Sequence, residues 1–127
     1  MSEAPRFQHE SSSSQGIHEY VVKSMLEART ILVSKEIDDE LARDIYASLL
    51  IMEKQSDTKP ITVIVNSPGG SADSGFGIYD MLRFVKAPIR SIVAGLAASA
   101  AVPVFLAAPK GSRYSLPNSR FLLHQPS

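Results

Sequence analysis

A chain of 127 residues, 44% apolar and 20% charged, has the size and balance of one soluble globular domain and excludes a disordered or fibrous chain. The absence of cysteine removes a disulfide framework, a thiolate nucleophile and any cysteine-based zinc site. The formal net charge of zero conceals an asymmetry: every Asp and Glu lies at or before Asp80, and only Arg83, Lys86, Arg90, Lys110, Arg113 and Arg120 follow, too scattered among apolar runs to form a nucleic-acid face.

Met1 to about Gly16 contain the run Ser11 to Ser14 and few apolar anchors, and read as a flexible tail of residues 1–16 ahead of a domain spanning 17–127. The N-terminus has neither the positive n-region nor the apolar h-region of a secretory signal, so no export and a cytoplasmic location are expected. From Ile17, the positions Tyr20, Val21 and Met25 predict a short amphipathic helix, and Thr30 to Val33 a buried strand. Asp38 is placed to cap a helix whose apolar positions Leu41, Ile45, Leu49 and Met52 recur at three- and four-residue spacing. Ile61 to Val65 reads as a strand covered on both faces. Ser71 to Val85 reads as a helix carrying Phe76, Tyr79, Leu82 and Phe84, and Ile89 to Val93 as a third strand leading through Gly95 into an alanine-rich helix that ends near Ala108. Two short strands, Arg113 to Leu116 and Arg120 to His124, close the series. The order β, α, β, α, β, α, β, β implies an α/β fold with helices shielding a largely parallel sheet. The uncharged stretch from Ile92 to Ala108 approaches the length of a membrane span, but Gly95, Ser99 and Pro103 interrupt it, so a strand, a turn and a buried helix are expected and no membrane is.

Two loops could carry chemistry. Asn66-Ser67-Pro68-Gly69-Gly70 follows a strand, where open α/β sheets place their ligands; its glycines can leave N–H groups uncovered for an anion or an extended peptide, or can make nothing more than a tight turn. Gly95-Leu96-Ala97-Ala98-Ser99-Ala100-Ala101 sets a serine at a helix start after a strand. That serine is either an N-cap or a nucleophile with oxyanion-stabilising N–H groups beside it. Alanines at 97 and 101 replace the glycines of a Gly-x-Ser-x-Gly elbow. His124, before Gln125-Pro126, could be a surface residue, but among three histidines it alone lies outside the N-terminal region, and imidazole is suited to take a serine proton near neutral pH.

Asn66-Ser-Pro-Gly-Gly70, Gly95-Leu-Ala-Ala-Ser99, Lys110-Gly-Ser-Arg-Tyr114, and Leu116-Pro-Asn-Ser-Arg120 followed by His124-Gln-Pro126, taken in this order from about Tyr20 to Pro126, closely resemble the proteolytic subunit of the Clp protease family. The resemblance implies a crotonase-like spiral of β-β-α units and a serine endopeptidase that degrades unfolded polypeptides. It implies Ser99 as nucleophile, His124 as general base and acid, and the N–H groups of Gly70 and Ala100 as oxyanion hole. Gly69, Gly70 and Ser71 would pair with substrate as an added strand, with no metal or other cofactor. It further implies heptameric rings, of one or more kinds of subunit, stacked as a tetradecamer and fed by an AAA+ unfoldase, with the tail near the axial pore.

Three departures stand out. The family's aspartate and its ring-stacking helix fall beyond Ser127, so the sequence reads as C-terminally truncated, and Asp73 and Asp80 are triad candidates only by elimination. Loss of the orienting acid costs about 10⁴ in kcat in such triads. Ala100-Ala101 also replace the family's usual Met-Gly, which alters the surroundings of a specificity pocket while leaving the Ala100 N–H in place. The alternatives are a catalytically impaired ring subunit that pairs with an active paralogue, and a crotonase-fold acyl-CoA enzyme, which would explain the glycine loop but not the serine and histidine.

Overall fold

A computed structural model describes residues 10–123, with side chains from 14 onward. The first helix, α1 (Glu10–Glu27), begins well before the expected Ile17; of the segment expected as a tail, residues 1–9 lie outside the described residues. Arg29 stops the helix in a left-handed conformation, φ 52°, and its N–H donates to the Leu26 carbonyl at 3.1 Å. Its guanidinium then donates to the carbonyls of Met52, Ser56 and Lys59 at 2.8–2.9 Å and of Pro60 at 3.3 Å. One side chain thereby ties the entry of β1 (Thr30–Val33) to the end of α2 (Asp39–Gln55).

Asp38 caps α2 as expected, its carboxylate accepting the Leu41 N–H at 2.8 Å, and Leu41, Ile45, Leu49 and Met52 are all buried. Strand β2 (Ile61–Ser67) runs two residues further than predicted, into the Asn-Ser of the glycine loop. Helix α3 (Ala72–Phe84), capped by Ser71, buries Ile78 and Leu82 but turns Phe76 and Phe84 to solvent, contrary to the expected apolar face. Strand β3 (Ile89–Ala98) does not end at Val93 as predicted but continues through Gly95. The alanine-rich helix is correspondingly shorter, α4 (Ala101–Leu106). A 3₁₀ turn over Lys110–Ser112, then β4 (Arg113–Ser115) and β5 (Arg120–Leu122), complete the described chain.

The sheet is wholly parallel, in the order β1-β2-β3-β4, with β5 also pairing β3. One edge of β3 is therefore shared: Ser91 to Val93 pair with β4, and Leu96 to Ala98 with β5. On one face of the sheet Val33, Ile61, Val63, Val65 and Val93 form a single core with the buried sides of α2, α3 and α4. The other face is only partly covered, against expectation. The register aligns Leu32, Ile64, Ile92 and Tyr114 in one row, with Leu32 and Tyr114 at its ends 41% and 51% exposed. No described helix is long and apolar enough to cross a membrane. Three of the six late bases are held within the fold: Arg83 lies over the Tyr79 ring, Arg90 donates to Thr62 Oγ1, and Arg113 donates to the carbonyls of Leu106 and Ala108.

Candidate active site

Ser99 stands in the turn between β3 and α4 with φ 53°, one of two described non-glycine residues in the left-handed region; the other is Arg29. A non-glycine residue there is strained and held by its surroundings, a condition common at functional sites. Here the surroundings are identifiable. The Ser99 N–H donates to the Leu122 carbonyl of β5 at 2.9 Å, and its own carbonyl accepts the Val102 N–H at 3.0 Å. The turn thus has the strand-to-helix geometry of a nucleophile elbow, although alanines flank it. Ser99 is exposed. The helix cap is Ala100, not Ser99, so the N-cap reading of this serine does not hold.

The glycine loop lies against this turn. An ideal Cβ on Gly69, whose φ is 99°, would come 2.9 Å from Ser99 Cβ, 3.1 Å from the Ala100 nitrogen and 2.7 Å from the Ala98 carbonyl oxygen. Only a residue without a side chain lets the two loops approach so closely. The approach is fixed from behind: buried Ser67 Oγ donates to the Lys35 carbonyl at 2.7 Å and accepts the Gly69 N–H at 3.1 Å. The Gly69 carbonyl accepts the Ile37 N–H at 2.7 Å, and the Ile37 carbonyl accepts the Ser71 N–H at 2.9 Å, a parallel bridge centred on Gly70.

In extended backbone, successive peptide groups point to opposite sides. With Gly69 and Ser71 committed to Ile37, the N–H and carbonyl of Gly70 face away from it, and the Gly70 N–H has no acceptor among the described residues. The same holds for the Ala100 N–H. Ser71 is more fully engaged: its hydroxyl accepts the Ser74 N–H at 3.2 Å and its carbonyl the Gly75 N–H at 3.0 Å. A Cβ on Gly75 would lie 3.0 Å from both Cβ and the carbonyl oxygen of Ala100, so α3 packs directly beside the residue after the serine.

The structure therefore brings Ser99, Ala100, Gly69 and Gly70 together. His124 lies outside the described residues; before it, the Leu122 carbonyl of β5 accepts the Ser99 N–H, and Phe121 packs on Phe105 of α4 with ring centroids 5.3 Å apart. Asp73 and Asp80 are both exposed on α3. No group of described residues has the makings of a metal site. Sequence reasoning gave no role to Ile37, Asn66, Gly75 or Ser119, all of which hold the loops in place. Asn66 and Ser119 lie inside the motifs that carry the family resemblance, but with the strand expected to end at Val93 nothing in the sequence marks them as partners of the Gly95 and Leu96 N–H groups.

The family model described as Clp protease matches residues 13–127. The ATP-dependent Clp protease proteolytic subunit 2 of Treponema denticola is 49% identical over 106 residues, which cover 84% of this chain and 53% of that protein. The ATP-dependent Clp protease proteolytic subunit of Ligilactobacillus salivarius is 45% identical over 115 residues, covering 90% of this chain and 58% of that one. Among solved structures, ClpP1 from Listeria monocytogenes superimposes with a TM-score of 0.78 at 40% identity, over 84% of this chain and 62% of that chain; a point mutant of the same protein gives 0.79. The chain thus spans little more than half the length of the curated relatives it matches. With a matching fold, four motifs in order and a strained serine against the glycine loop, the chain belongs to the Clp protease family.

Proposed function

We propose that the chain carries the nucleophile, base and oxyanion donors of a serine endopeptidase, as part of the proteolytic subunit of an ATP-dependent Clp protease. The observation that carries this reading is the left-handed, exposed Ser99 lying against Gly69, with the N–H groups of Gly70 and Ala100 free of acceptors among the described residues. In the proposed reaction an unfolded polypeptide adds as a strand along the free edge of Gly70. Ser99 Oγ attacks the scissile carbonyl while His124 takes its proton. The oxyanion accepts the N–H groups of Gly70 and Ala100, and His124 returns the proton to the leaving amine. Water then cleaves the acyl-enzyme by the same steps in reverse order. The native protein works in the cytoplasm as heptameric rings stacked in pairs and fed by an AAA+ unfoldase.

The test is active-site labelling: a fluorophosphonate should modify Ser99, and the Ser99→Ala variant should take up none. A folded protein that shows no labelling refutes the reading. The competing reading is a structural ring subunit beside an active paralogue, drawn from Ala100-Ala101 standing where the resembled family usually has Met-Gly. Homomeric rings with peptidase activity would rule it out.

A further inference from the structure

Strand β3 reaches Ser99 only after an irregularity. Val93 pairs with Val65, but the next pair with β2 is Ala97 with Ser67: β2 advances two residues while β3 advances four. Two extra residues of β3 therefore bulge out at Gly95, whose φ is 108°. At the same place β3 changes partner on its other edge, from β4 to β5. A bulge at a partner change leaves ladder groups without a backbone mate. Two side chains take the N–H groups here: Asn66 Oδ1 accepts that of Leu96 at 3.2 Å, and Ser119 Oγ accepts that of Gly95 at 3.2 Å while donating at 2.8 Å to the Val93 carbonyl, which also accepts the backbone N–H of Leu116 at 3.0 Å. A Cβ at position 95 would come within 2.7 Å of Asn66 Oδ1, so the glycine is what admits the clamp. Three residues beyond Leu96 stands Ser99.

We propose that Asn66 and Ser119 are positioning residues: by closing the β3 bulge from its two edges, they set the direction in which the strand delivers the Ser99 turn. This rests on the reading of Ser99 as nucleophile. Neither residue is in the hydrophobic core, Asn66 being exposed and Ser119 half-buried, so their removal leaves the packing of the sheet untouched.

The test uses the full chain with Asn66→Ala and Ser119→Ala, and with Asn66→Asp and Ser119→Thr, which keep the accepting oxygen. Two rates are measured well below the melting temperature: fluorophosphonate labelling of Ser99, and amide hydrogen exchange at Ser99 compared with Val63. For a neutral hydrogen bond, each alanine variant should slow labelling and speed exchange at Ser99 by about threefold to tenfold, with Val63 unchanged. The conservative variants should restore both. Wild-type exchange at Ser99 in both alanine variants, equal acceleration at Val63, or no recovery in the conservative pair overturns the proposal. A wild-type chain that takes up no probe refutes the nucleophile reading, and the exchange comparison still decides whether the clamp holds the turn.

Discussion

Replacing Gly69 by alanine probes the closest approach in the site. The added methyl would meet three backbone or near-backbone atoms at once, at 2.7 Å from the Ala98 oxygen, 2.9 Å from Ser99 Cβ and 3.1 Å from the Ala100 nitrogen, and none of them is the end of a flexible side chain. The residue must also hold φ 99°, where L side chains cost about 1–3 kcal/mol. The loops must therefore part by several tenths of an ångström, and this moves the Gly70 N–H relative to that of Ala100. Loss of one well-placed oxyanion donor costs about 10²–10³ in rate. Gly69→Ala should thus lose roughly 1–3 kcal/mol of stability in urea titration, a midpoint shift of about 1 M. Its labelling at Ser99 should fall by at least tenfold under conditions where the variant is folded. An unchanged labelling rate in a folded variant would show that the two loops do not act together, and the oxyanion assignment would fail with it.

Other consequences are structural. Ser91 is fully buried in β3, and its hydroxyl has no hydrogen-bond partner among the described residues, so Ser91→Ala should leave the stability measured by urea titration unchanged or raise it by up to about 1–3 kcal/mol. A fall would mean that the hydroxyl has a partner. Arg29→Ala removes donors to four carbonyls at the end of α2 and should cost about 2–3 kcal/mol in the same titration. Arg29→Lys should recover little, because an ammonium cannot reproduce the planar fork; full rescue by lysine would refute that account.

Periodicity was a sound guide wherever burial decided the structure. The 3- and 4-residue spacing of Leu41 to Met52, and the β-branched run from Ile61 to Val65, correspond to a helix and a strand near their expected limits because each has one continuous buried face. It failed where a partner strand overrode local preference. Gly95 and the alanines after it favour a turn and a helix, but β5 supplies backbone acceptors and donors as far as Ala98, and the ladder outweighs propensity. The aromatic positions on α3 misled for another reason: Ile78 and Leu82 already fill the buried stripe, which leaves Phe76 and Phe84 outside it. In the site, both loops could be picked out, each following a strand, but the residues alone left a tight turn and an N-cap open, and the catalytic roles came only from the family resemblance. The close approach of Gly69 to Ser99 was not readable, because it is made by residues 30 apart whose contact depends on the β2–β3 register.

The carboxylates of α3 allow the question of the third catalytic group to be put to experiment. Asp80 lies five residues beyond Gly75, the α3 residue that packs on Ala100, about 7.5 Å along the axis, and it lines a surface cleft with Leu50, Met81 and Phe84. Asp73 sits in the first turn, close to the site but exposed, where a negative charge favours the helix N-terminus. Asp80→Asn should therefore leave labelling of Ser99 and stability unchanged. Asp73→Asn should lose about 0.3–1 kcal/mol of stability through the helix end alone, with labelling altered less than threefold. If either variant instead lost labelling by orders of magnitude while remaining folded, that carboxylate would be orienting the base, and α3 would supply the acid.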